Sequence, residues 1–170
     1  ALIVASILIS SNWFIFIWAV NHEHILQVSL GYYINPLVSV LLGVFFLRER
    51  LSVVQYISFF IALFGVIILT FSYGQFPWVS IMLALTFAVY GLVKKLIKVD
   101  SAVGLTLETM AVTPIALGYL IYLFIDGNLS FIAVSVSTDL LLIGTGLASA
   151  VPLLFFANGA QKIPLSMLGY

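Results

Sequence analysis

Apolar residues run along this chain in unbroken blocks rather than in alternation, and each block stops at a short cluster of polar or turn-forming residues. Six blocks approach or exceed the roughly 20 residues that a helix needs to cross the hydrocarbon of a bilayer. They are residues 2–20, 26–47, 53–71, 77–93, 103–125 and 139–157, and a seventh opens at Pro164. Barrel strands would alternate apolar and polar positions; these blocks are apolar on every face. The pattern predicts an all-α polytopic membrane protein. Pro77 and Pro164 are expected at the first helical position, where a missing N–H costs nothing. The connections are short except for residues 126–138, where Phe131, Ile132 and Val134 are expected to lie along the interface.

Polar residues inside the blocks carry the candidate chemistry. The run GYYINPLVSVLLGVFFLRER (residues 31–50) is interrupted near its middle by Asn35-Pro36, and the chain reads as organised around it. A proline removes a backbone hydrogen bond and clashes with the preceding turn. A break at membrane depth is tolerated where neighbouring groups or a water-filled cavity satisfy the freed carbonyl. Asn12, Pro114 and Pro152 lie at similar depth in their own blocks. The prolines would free the carbonyls of Tyr32, Met110 and Ala148, with Thr109, Thr113 and Ser149 placed to compensate. Interrupted helices with polar residues at the midplane build transporter sites; kinks that merely improve packing are the competing reading.

Glu108 is the one charged residue well inside a block, on the face of Gly104 and Ala111. A carboxylate there either faces an interior cavity and serves function, or snorkels to the surface beside Lys94, Lys95 or Lys98. Small residues at packing spacings, Ser58-Ala62-Gly65, Ser39-Gly43 and Gly144-Ala148, are expected to permit close helix approach. His22-Glu23-His24 lacks a third ligand in reach and reads as a solvated loop rather than a metal site.

Composition sharpens this picture. Hydrophobic residues make up 64% of the chain and charged residues 7%, against roughly a quarter charged in a soluble domain. The net charge is zero and cysteine is absent, so nothing points to a nucleic-acid partner, and thiol chemistry is excluded. All six basic residues (Arg48, Arg50, Lys94, Lys95, Lys98 and Lys162) fall in alternate connections. The positive-inside rule assigns that side, loops 48–50, 94–98 and 162, to the cytoplasm. Tyr73, Phe76 and Trp78 then form an aromatic belt at the outer face. The first block lacks a basic leader region and a cleavage site, so it does not read as a signal peptide. A start without methionine and an end inside an apolar run suggest a fragment lacking both ends.

An internal echo is faintly visible: Leu30-Gly31-Tyr32 returns as Leu168-Gly169-Tyr170, and Ala19 as Ala157. The offset spans five blocks, and an odd number forces the two copies to insert with opposite orientation, the inverted-repeat arrangement.

The run SLGYYINPLVSVLLGVFFLRERL, followed by Gln55 and Gly65-Val66, resembles the end of an EamA domain of the drug/metabolite transporter superfamily. Four further segments resemble its RarD group: NWFIFIWAVN (12–21), YGLVKK (90–95), VGLTLETM (103–110) and VPLLFFANGAQKIPLSMLGY (151–170). The resemblance implies a ten-helix protein of two inverted five-helix repeats, about six and a half helices being present. Residues 1–72 would close the first repeat (helices 3–5), and residues 73–170 would open the second (helices 6–8 and the start of 9). It further implies a central substrate cavity with Asn12, Trp13, Tyr32, Asn35, Tyr90 and Glu108 as candidates, Pro36 shaping it.

No nucleotide, zinc-protease or serine-hydrolase motif occurs, so no cofactor, metal or catalytic residue is assigned. The expected function is a secondary transporter for a small organic metabolite or drug in a bacterial inner membrane, its partners a small-molecule substrate and the lipid bilayer. An intramembrane enzyme acting on a lipid-linked substrate and a non-transporting scaffold are the alternatives. One intramembrane carboxylate without a nucleophile–base pair argues against the enzyme.

Overall fold

The computed structural model describes residues 1–127, 131 and 135–168. Their long elements are six helices: α1 (Leu2–Asn21), α2 (Ile25–Leu47), α3 (Val53–Tyr73), α4 (Trp78–Leu96), α5 (Ser101–Ile125) and α6 (Val136–Lys162). All six are long and apolar enough to span a membrane. A short α7 (Leu165–Leu168) follows. The predicted blocks are all present, each within a few residues of its expected ends. Ile132, Val134, Gly169 and Tyr170 lie outside the described residues, and with them part of the expected interfacial loop and of the internal echo.

Three differences have physical causes. Pro77 is the cap residue before α4 rather than its first helical position, and α7 likewise starts one residue after Pro164. The run with Asn35-Pro36 is not broken: α2 continues through Pro36, as α5 does through Pro114 and α6 through Pro152. A membrane helix tolerates one lost hydrogen bond when its other turns are intact. The threonines of α5 do not reach the Met110 carbonyl. Thr109 Oγ1 donates to Leu105 O and Thr106 O, and Thr113 Oγ1 to Thr109 O.

The hub is α4, not α2. Half of its spanning stretch is buried, whereas α3, α5 and α6 remain almost wholly exposed. Ser80, Ala84, Ala88 and Gly91 form a buried small-residue stripe along α4. In lipid, helices associate by close packing rather than by escape from water, so such a stripe decides which helix sits centrally. Helix α2 comes close to α4 at Gly31, where a Cβ would lie 3.2 Å from Ser80 O and 3.4 Å from Leu83 Cβ. Gln27 sews the same seam. Its Oε1 accepts from Val79 N, the first turn of α4, while Nε2 donates to Tyr73 Oη, and Ser80 Oγ donates to Gln27 O at 2.6 Å.

Of the small residues expected at interfaces, Ser39 and Gly43 are buried. A Cβ added at Gly65 or Gly144 would instead meet nothing within 4 Å among the described residues.

Candidate functional site

A turn at residues 22–24 folds α2 back beside α1, and the stripe on α4 closes the third side. Between them lies a cavity of ≈ 210 Å³, lined by Asn12, Phe16, Val28, Gly31, Tyr32, Asn35, Leu83 and Phe87. Asn12, Asn35 and Phe87 sit near the middles of their helices, so the cavity lies at mid-height. Gly31 keeps its floor open, and the Tyr32 ring stands edge-on to Phe16, centroids 6.4 Å apart.

The two amides on this wall differ. Asn12 Nδ2 donates to Leu83 O at 2.9 Å and to Thr86 Oγ1 at 2.8 Å, pinning α1 to α4. Asn35 Oδ1 is buried and has no hydrogen-bond partner among the described residues. A buried, unsatisfied acceptor costs about 1–3 kcal/mol, and such a group in a native fold calls for an explanation.

Glu108 belongs to a second constellation. Lys94 Nζ meets its Oε1 at 2.9 Å, and Tyr90 Oη donates to its Oε2 at 3.1 Å. All three residues are buried. The carboxylate is buried and paired rather than snorkelling to the surface. Lys94 is not a loop residue either, since α4 runs through Lys94 and Lys95 to Leu96. Burial forces the pairing, because a lone charge there would lose its hydration without compensation. Gly104 makes room for it, a Cβ there standing 3.1 Å from Lys94 Nζ. Beside the pair runs a groove of ≈ 550 Å³ between α1, α5 and α6, whose lining includes Ser10, Trp13, Glu108, Thr109 and Thr113.

The candidate residues therefore divide between two places. Asn12, Tyr32 and Asn35 share the mid-height cavity; Trp13 and Glu108 line the groove. Tyr90 is buried behind Glu108 in a cluster with Ala5 and Ile9, and Pro36 lines neither space. Phe16, Val28, Gly31, Leu83 and Phe87 complete the cavity and were not among the candidate residues. Their apolar character gives no signal until the helices are placed.

At the end of the bundle that carries the basic residues, Glu49 accepts from Leu165 N at 2.7 Å and Ser166 N at 2.8 Å. Arg48 adopts a left-handed cap (φ 54°) that turns the chain toward α7. Burial pushes the Glu49 carboxyl up, but the Ser166 and Leu165 hydrogen bonds and the Lys95 charge outweigh it and hold the pKa below its ordinary value. Lys95 Nζ donates to the carbonyls of Ala160 and Ile163 where α6 ends. At the opposite end, Trp18 stacks with His22 and His24, centroids 4.5 and 5.5 Å apart, and packs on Trp78.

Residues 1–71 match the EamA-like transporter family. The chain is 53% identical over 170 residues to the uncharacterized transporter YojE of Bacillus subtilis, an alignment covering 99% of this chain and 56% of that protein. It is 44% identical over 166 residues to Protein RarD of Streptomyces exfoliatus, covering 98% and 53%. It is 42% identical over 170 residues to Protein RarD of Escherichia coli, covering 99% and 57%. The chain thus spans little more than half the length of these relatives. No solved structure matches it significantly.

Proposed function

The chain belongs to the EamA-like transporter family, and from that premise we propose that the protein is a secondary transporter of a small organic solute. It acts in a bacterial inner membrane, with the basic ends of α2, α4 and α6 facing the cytoplasm. The observation that carries this reading is the mid-height cavity lined by two amide side chains, Asn12 and Asn35. Carriers place their sites at this depth, at the junction of helices that rock against one another.

Side chains there bind and gate; none performs covalent chemistry. The Glu108 carboxylate is engaged by Lys94 and Tyr90, which supports a structural or coupling role over that of a catalytic base. Residues 1–72 act as the closing part of the first inverted repeat and residues 73–170 as the opening part of the second. Glu49 bridges the two parts through α7, where relative movement during a transport cycle would be felt.

The test is solute flux by the full-length protein in proteoliposomes, using a panel of charged and uncharged small metabolites. Asn35→Leu and Tyr32→Ala, both on the cavity lining, reduce flux at equal insertion, whereas Gly65→Ala, in open surroundings, leaves it unchanged. Undiminished flux in both cavity variants would remove the cavity from the transport path.

A further inference from the structure

Helix α2 is fastened near each end to the first turn of a helix that opens behind a proline. Near its start, Gln27 Oε1 accepts from Val79 N, in the first turn of α4 behind Pro77. Just past its end, Glu49 accepts from Leu165 N and Ser166 N, in the first turn of α7 behind Pro164. First-turn N–H groups have no partner within their own helix, so each fastening satisfies donors that would otherwise be orphaned. The two differ in what parting them costs. Gln27 is 2% exposed, and separation there would strand its amide and the Val79 N–H away from water. Glu49 is half-buried at the aqueous end. Water takes over its oxygens and both amides on separation, so nothing is left stranded.

We propose, resting on the reading of the protein as a carrier, that Glu49 is a releasable latch between α2 and α7, broken and remade in each transport cycle while the Gln27 seam stays closed. The surrounding residues build the latch. Arg48 in its left-handed conformation lets Glu49 N donate back to Gly43 O at 3.1 Å, which turns the carboxylate over Gly43. Gly43 is the seat: a Cβ there would lie 2.6 Å from Glu49 Oε2 and 3.0 Å from Ser166 N. Helix α7 belongs to the α4 side of the contact. Lys95 of α4 donates to Ile163 O just before it, and Leu165 Cδ1 lies 3.5 Å from where a Cβ on Gly91 would stand. The half of α2 nearer the latch also packs differently from the half that holds Gln27. Val28 clusters with Val79 and Leu83 of α4, whereas Leu37 and Val40, beyond Pro36, cluster with Phe59 of α3. Pro36 has no N–H to give the Tyr32 carbonyl, so resistance to bending is lowest where the partners change. Release of Glu49 then lets the latch half of α2 swing away from α7 while the other half stays seated on α4.

Ser166 is buried beneath the latch, and a cysteine there reports its opening. The full-length protein carrying Ser166→Cys, with any other cysteine removed, is labelled by a polar thiol reagent in detergent, where both faces are accessible. With Glu49 in place the expected labelling is slow but goes to completion. Adding Glu49→Gln speeds it at least fivefold, because glutamine offers an oxygen to one amide and turns its NH₂ toward the other. Gly43→Ala, which presses a methyl on the carboxylate, speeds it likewise. A cysteine at the exposed Lys98 labels at one rate in every background. Equal Ser166→Cys rates with and without Glu49 would overturn the latch. So would a cysteine that never reacts with Glu49 in place, a result that needs neither variant to fold. Failure of the transport reading looks different: Glu49→Gln speeds labelling as expected, yet the parent protein moves no solute in proteoliposomes.

Discussion

Lys94 and Glu108 have left water together, and each is tolerable only because of the other. Removing one partner of a buried pair strands a charge, at a cost of about 3–5 kcal/mol, whereas apolar replacement of both is often neutral. Glu108→Gln and Lys94→Met are each expected to lower the thermal unfolding midpoint sharply, and the double variant to recover most of the loss. If the pair also couples protons to transport, Glu108→Gln additionally abolishes the response of flux to a proton gradient while solute exchange persists. An unchanged pH response would leave the pair purely structural. Glu49 behaves differently because it sits at the aqueous end. Its folded-state pKa lies below the ordinary carboxylate value of 4.5. A depressed pKa contributes stability above the unfolded value, and that contribution fades as pH falls through the folded value. The midpoint of the parent should therefore drop more steeply than that of Glu49→Gln as pH falls below about 4.5; parallel curves would refute the clamp. Glu108 was conspicuous in the sequence as a charge within a span, and Lys94 was one of three lysines named as its neighbours, with nothing to single it out. Lys94 reads as the first residue of a basic loop until α4 is seen to run past it.

At the level of elements, hydropathy located every long helix but said little about which would be central. The signal existed in the spacing of Ser80, Ala84, Ala88 and Gly91, a stripe that buries α4 against its neighbours. It was overshadowed by Asn35-Pro36, whose chemistry is louder although α2 is continuous there. Elsewhere small residues at similar spacing divide, Ser39 and Gly43 being buried while a Cβ at Gly65 or Gly144 would meet nothing, because a stripe marks an interface only when another helix arrives. Gly31 and Gly65 make the contrast testable. A Cβ at Gly31 presses on the backbone of Ser80, while one at Gly65 meets nothing within 4 Å. Gly31→Val should cost about 1–3 kcal/mol by overpacking and shrink the cavity it floors. Gly65→Val should stay within about 0.5 kcal/mol. Thermal unfolding of the two variants side by side decides it, and equal losses would mean that the α2–α4 seam yields freely.

For the whole molecule, the count of spans was legible because burying a helix in lipid requires a long apolar run, and little else produces one. The division of the candidate residues into a cavity and a groove was not legible. Sequence ranks residues by depth along a helix, but the face each presents is fixed by packing, and it was the resemblance that put Asn12 and Trp13 together. What the fold adds to the topology is that one end of the bundle is knit from the segments that carry the basic residues. Glu49 reaches α7, Lys95 reaches the end of α6, and Gln161 Nε2 donates to Val99 O at 2.8 Å. These contacts place the ends of α2, α4 and α6 together, on the side that the positive-inside rule expects in the cytoplasm. The chain has no cysteine, so single cysteines report orientation without background. Asn21, Ser52, Gln75 and Lys98 are exposed near the ends of their helices. Cysteines at Asn21 and Gln75 should react with an impermeant thiol reagent added outside intact cells, and those at Ser52 and Lys98 only after the membrane is opened. The reverse pattern would invert the orientation, and labelling of one position from each pair would break the alternation of spans itself.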